Sequence, residues 1–194
     1  MLVTQLTVVN ACLASMGEEP INSLAEDNAF INSAKFALEN ATTNEQSAGW
    51  WFNKEILKLR PDTSGQYIVP TDVIDLNVEA VPGWLVMRGN RLYDTAKAEY
   101  LTGTRDYEVN IIRLLAFEDM PFHIKRLVKA AAVILFQQSY DGDAQKIREA
   151  EAEYASAFLL ARAQHIRAVG ANFGTLAARQ SHMVGGHRGL RTPR

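Results

Sequence analysis

The sequence predicts a mixed α+β fold: a four-helix bundle built from both chain ends, with an antiparallel β-sheet subdomain inserted between them. Three observations predict it. Apolar residues recur at helical spacing to about residue 50, alternate with period two from Trp51, and return to helical spacing after Asp119. A chain of 194 residues has room for one domain carrying an insertion. At 47% hydrophobic residues it can also bury a substantial core. The boundaries that follow are 1–50 and 119–169 for the bundle, 51–118 for the β subdomain, and 170–194 for an extended basic arm.

In chain order, the first helix is expected over Leu2–Met16, with Leu6, Val9, Leu13 and Met16 on one face. Gly17 can close it in the left-handed conformation, and Pro20 cannot continue it. A second helix is expected from Asp27 to about Gly49, on a thin stripe of Ile31, Ala34, Leu38, Ala41 and Ala48. The stretch "VIDLNVEAV" places Ile74, Leu76, Val78 and Ala80 on one side, the pattern of a half-buried strand. "WLVMRGNRLYD" predicts a hairpin turning at Gly89–Asn90. With the long β-branched run at 107–117, four or five strands form one antiparallel sheet. Asp119 is the expected N-cap of a third helix, with Pro121 in its first turn. That helix runs to Tyr140 on Ile124, Leu127, Val128, Ala131 and Leu135. The fourth is expected over Ala144–Val169 on Ile147, Ala150, Tyr154, Phe158 and Ala161.

Charge is distributed unevenly. Six of the 20 basic residues and none of the 22 acids lie beyond Tyr154, which leaves the rest of the chain at −8. Such asymmetry marks an interaction tail. In that tail Arg179, Arg188, Arg191 and Arg194 stand among Gly170, Gly174, Gly185, Gly186 and Gly189. Cys12, the one cysteine, excludes an intrachain disulfide and a multi-cysteine metal site. No apolar run has the length of a membrane span, and no secretory signal opens the chain, so folding in a cytoplasm is expected.

No catalytic or metal constellation emerges, and no cofactor is implied. Asp141–Gly142–Asp143 has the start of a calcium loop, but Lys146 and Arg148 stand where further oxygens are needed, so a structural turn is expected. His182 and His187 have no acid nearby in sequence, and His123 and His165 suit helix-surface or capping roles. Trp50, Trp51 and Trp84 are read as core plugs or subunit contacts. Glu149, Glu151 and Glu153 form a solvated acidic segment.

Five motifs in the same order carry a resemblance: "VNACLASMGEEPINSL", "GWWFN", "LRPD", "RGNRLYD" and "VNIIRLLAFEDMP". Together they resemble the tail tubular protein A family of short-tailed bacteriophages. The resemblance implies a structural virion protein, a head-to-tail adaptor ring of twelve subunits. Such a ring joins the portal protein to the tail nozzle protein (tail tubular protein B), and genomic DNA passes through its channel without sequence-specific binding. Glu149, Glu151 and Glu153 are then candidate channel-lining acids, and Arg179, Arg188, Arg191 and Arg194 a candidate portal-docking arm. The polar second helix suggests a free protein that is monomeric until it meets the portal. A second reading is a virion-associated hydrolase of cell-envelope polysaccharide, using Glu18 with Glu19 or Asp72 with Asp75. A third is a DNA-binding module acting through the basic arm.

Overall fold

A computed structural model describes residues 2–26, 29–78, 84–140 and 142–184, the last fourteen of these by their backbone path alone. The fold is mixed α+β, with helices at both ends of the described chain and strands between them. Helix α1 spans Gln5–Met16 and α2 spans Ile31–Ser47. The strands are β1 (Lys54–Leu59), β2 (Val73–Asn77), β3 (Leu85–Arg88), β4 (Arg91–Asp94), β5 (Glu99–Tyr100) and β6 (Tyr107–Arg113). A short 3-10 turn at Phe117–Asp119 leads into α3 (Phe122–Tyr140), and α4 (Ala144–Val184) follows.

Both ends of α1 and the start of α3 have local causes. Thr4 caps α1 through a reciprocal pair with Thr7, so the helix begins three residues later than the apolar pattern suggests. Gly17 ends it at φ 82°, where the Gly17 and Glu18 amides donate to Ala14 O and Leu13 O, a Schellman closure. The chain then folds back. Asn10 Nδ2 donates to Ile21 O and Asn10 Oδ1 accepts from Ile21 N, both at 2.9 Å, which seats Ile21 in the core. Asp119 does not cap α3, because it is taken up in the 3-10 turn; the Pro121 carbonyl instead accepts the amides of Ile124 and Lys125.

The β region differs from the expected single sheet. Six strands form two three-stranded antiparallel sheets, ordered β1-β6-β2 and β3-β4-β5. The first strand begins at Lys54, since residues 51–53 are spent on a turn. In β2 a register irregularity between Val73 and Asp75 buries Val73 in place of Ile74, while Leu76 and Val78 face inward as expected. Ala80 lies outside the described residues. The β3–β4 hairpin turns at Gly89–Asn90 as read, with φ 61° at Gly89 alone, the signature of a type II′ turn.

Two hydrophobic clusters result. One is formed by the four helices with Trp50, Phe117 and Met120; α3 lies against α1, α2 and α4. The other is formed by Leu59, Tyr67, Val69 and the inward residues of the strands. The α2 stripe is Ile31, Ala34, Ala37, Leu38 and Ala41 as its alanines suggest, but Ala48 is exposed and Gln46 is buried in its place. Helix α4 continues past the expected end at Val169, so residues 170–184, read from sequence as an extended arm, are helical.

Two left-handed glycines of the helical region, Gly17 and Gly49, predict a contrast in stability. A Cβ on Gly17 meets nothing within 4 Å, so Gly17→Ala should cost only the conformational penalty of about 1 kcal/mol. A Cβ on Gly49, at φ 69°, comes within 2.4 Å of Lys54 Cε and 2.7 Å of Ile112 Cδ1. Gly49→Ala should therefore shift the urea midpoint clearly further than Gly17→Ala. Equal shifts would contradict this packing.

Candidate functional site

The helices and strands meet where the chain leaves α2 and where it returns from β6. Two fully buried amides join these passages. Gln46 reaches across to Leu115: its Nε2 donates to Leu115 O and its Oε1 accepts from Leu115 N, both at 2.9 Å. Asn53 completes the contact. Its Nδ2 donates to Gln46 O and Arg113 O at 3.0 Å, its Oδ1 accepts from Trp50 N at 2.8 Å, and its carbonyl accepts from Arg113 N at 2.9 Å.

Arg113 carries the contact outward, pairing with Glu55 at 3.1 Å and with Asp72. The Arg113 guanidinium holds the Asp72 carboxyl below the usual carboxylate range. Trp50 is buried, donating through Nε1 to Glu45 O at 2.7 Å, and Trp51 N donates to His165 Nδ1 on α4 at 3.1 Å. The Trp50 and Trp51 rings both pack on the His165 ring, so these tryptophans plug the junction and His165 caps it, roles the sequence reading allowed. Trp84, by contrast, is exposed.

The hydrolase pairs find no support in this geometry. A general acid needs a raised pKa beside a second carboxylate, whereas Asp72 is depressed by Arg113. Glu18 and Glu19 are exposed just past the end of α1. A raised carboxyl does occur at Glu45, where burial dominates and the hydrogen bond from Tyr154, at 2.9 Å, partly offsets it. Burial and that same bond push the Tyr154 hydroxyl up to about 12, and the pair is a partly buried contact between α2 and α4. Among the described residues no group of three or more His, Cys, Asp or Glu side chains could hold a metal ion. The Asp141–Asp143 segment serves the backbone: Gly142, at φ 63°, closes α3 onto Gln137 O, and Asp143 Oδ1 accepts the amides of Gln145 and Lys146 to open α4. Asp141 lies outside the described residues.

The surface of α4 is the remaining place where candidate residues gather. Its buried stripe is Ala150, Ala157 and Ala161, with Tyr154 and Phe158 partly buried. Glu149, Glu151 and Glu153 are all exposed. At about 100° per residue they do not share a face: Glu149 and Glu153 lie on one flank of the stripe and Glu151 on the other. Glu153 is turned toward Lys129 on α3, at 3.6 Å. Exposed apolar residues on the far side of α4, chiefly Leu159 and Ile166, escaped the sequence reading because they lie off the core stripe. Arg179 falls within α4, with only its backbone described, and Arg188, Arg191 and Arg194 lie outside the described residues. No described helix is long and apolar enough to cross a membrane.

Residues 6–169 match the family model described as tail tubular protein. No curated protein matches the chain. The family model covers well over half of the sequence, so the chain belongs to the tail tubular proteins, structural components of phage tails.

The junction yields two expected outcomes. Asn53→Ala strands the buried Trp50 N–H and Arg113 carbonyl, and at ~1–3 kcal/mol per unsatisfied group it should cost about 2–4 kcal/mol in equilibrium unfolding. A loss under about 0.5 kcal/mol would contradict the contact. The second concerns acid. A carboxyl whose folded pKa is depressed contributes stability that is complete above its unfolded value, about 4, and is lost as pH falls through the folded value. Asp72 should therefore steepen the acid limb of unfolding, and the urea midpoint of Asp72→Asn should fall less between about pH 4 and pH 2 than that of the wild type. Parallel curves would show that the Arg113 pair does not act in solution.

Proposed function

We propose that this phage tail protein is the head-to-tail adaptor: a ring, of twelve subunits, that joins the portal protein to the tail nozzle protein and surrounds the path of the genome. The observation that carries the reading is the match of residues 6–169 to the tail tubular proteins, joined to the five ordered motifs that resemble the adaptor branch of that family. In this reading the helices act as one bundle and the strands as an inserted subdomain. The two separate hydrophobic clusters and the polar junction between them support that division. The protein acts by packing and charge. DNA must slide, and fixed cations at a channel wall would hold its phosphates. The exposed Glu149 and Glu151 suit such a wall; Glu153, turned to Lys129, contributes less field. The chain beyond Val169 carries Arg179, Arg188, Arg191 and Arg194 without an acid, which suits docking on carboxylates of the portal.

The test is to mix purified chain with portal rings and view the particles by negative-stain electron microscopy. The adaptor reading expects a second ring stacked on each portal. Portal rings that stay bare, with the nozzle protein also present, would overturn it. The arm is tested separately by truncation after Val169. That cut leaves every described buried position of α4 in place, since the last of them is Ala161. The shortened chain should keep its urea midpoint and bind portal rings at least ten-fold more weakly. Undiminished binding would move the contact to the bundle.

A further inference from the structure

The outer face of α4 is an apolar seam. Ala152, Ala155, Leu159, Ala163 and Ile166 recur at spacings of three and four and lie within about 40° of Leu159 around the helix. Leu159 is 66% exposed and Ile166 60%, and with the alanines between them they leave an apolar strip rather than single apolar side chains on the surface. The charges beside the seam are sorted. Glu149 and Arg167 flank one side and Glu151 and Arg162 the other, the acids ahead of Leu159 and the bases behind it, while the exposed Arg148, one turn before Ala152, lies in line with the seam and closes its N-terminal end.

We propose that this face docks on the same face of a second copy of the chain, with the two α4 helices antiparallel and Leu159 opposite its own counterpart. Two features select that arrangement. The apolar positions are symmetric about Leu159: Ala152 and Ile166 stand seven residues to either side, and Ala155 and Ala163 four. In an antiparallel two-fold pair, like flanks meet, so Glu149 comes within about 3 Å along the axis of the level of Arg167 of the second copy, while Glu151 and its Arg162 share a flank about 7.5 Å apart along the axis. A parallel two-fold pair brings opposite flanks together, setting Glu149 against Glu151 and Arg162 against Arg167, which is repulsive at both ends. The helix dipole alone accounts for acids early and bases late in α4, but not for an exposed apolar seam centred between them. The docked pair replaces the monomer that the polar α2 led us to expect, and it covers the seam before the protein enters a ring. It does not depend on the adaptor reading.

The experiment uses the full chain with single cysteines placed by Ala152→Cys, Ile166→Cys and Leu159→Cys. The native Cys12 is fully buried, so it leaves the readout clean. With a short bis-maleimide at tens of micromolar protein, L159C should link to itself. A152C and I166C should each fail to link alone and should link when mixed. Sedimentation equilibrium of the wild type should give about twice 21.6 kDa, and Leu159→Glu, an exposed change, should weaken association at least ten-fold with unchanged circular dichroism. Self-linking of A152C would show a parallel pair and overturn the proposal. So would a wild type that sediments as a monomer or as a ring-sized species over the same concentrations.

Discussion

The chain passes from helices to strands after α2 and back again after β6, and two buried amide side chains tie these passages to each other. Gln46 pairs with both backbone groups of Leu115 as a neighbouring strand would, though it stands on a helix. Asn53 spends its side chain and its own carbonyl on Gln46, Trp50 and Arg113. An amide offers donors and an acceptor on one rigid plane, so it can satisfy irregular backbone where neither a helix nor a sheet is available. Such backbone would otherwise be buried unpaired at about 1–3 kcal/mol per group. The helical cluster and the strand cluster are held in one orientation by this contact. Trp50, Trp51 and His165 extend it to α4, and Arg113 extends it to β1 and to the segment before β2.

The same device recurs elsewhere in the helical region. Asn10 holds the chain after Gly17 by both backbone groups of Ile21, and Gln137 on α3 donates to Ser15 O and Ser15 Oγ at 2.8 Å. The tight "MGEEP" corner thus has a structural purpose: it turns the chain sharply enough for Ile21 to reach the core. For an assembly protein such rigidity matters, because conformational freedom lost on binding is a cost in affinity. A subunit whose corners are fixed by directional bonds presents its outer faces in a defined relation to one another.

The helices were legible in the sequence because their apolar stripes repeat every three to four residues, and α3 ends where the pattern ends. The hairpin was legible because Gly89 marks the turn. Other features depend on partners distant in the chain. The division into two sheets follows from β6 pairing with both β1 and β2, which no local period encodes. Gln46 and Asn53 drew no notice in the sequence, because burial of an amide depends on what lies opposite it. In α4, Gly170 and Gly174 suggested a break, yet a glycine lowers helix preference by only ~1 kcal/mol and the helix runs through. The acids at 149–153 read as one patch in a linear string, and the helical turn parts them onto two flanks.

Native-state hydrogen exchange at the junction tests the central claim most directly. If the buried amides make the helical and strand clusters one cooperative unit, the Leu115, Arg113 and Trp50 N–H groups should exchange only through global unfolding. Their protection should equal that of Ile124 and Leu127 in the core of α3, and Gln46→Ala should lower all of them together. Exchange of Arg113 and Leu115 through a lower-energy opening that leaves α3 protected would contradict the account, since the strands would then unfold without the helices.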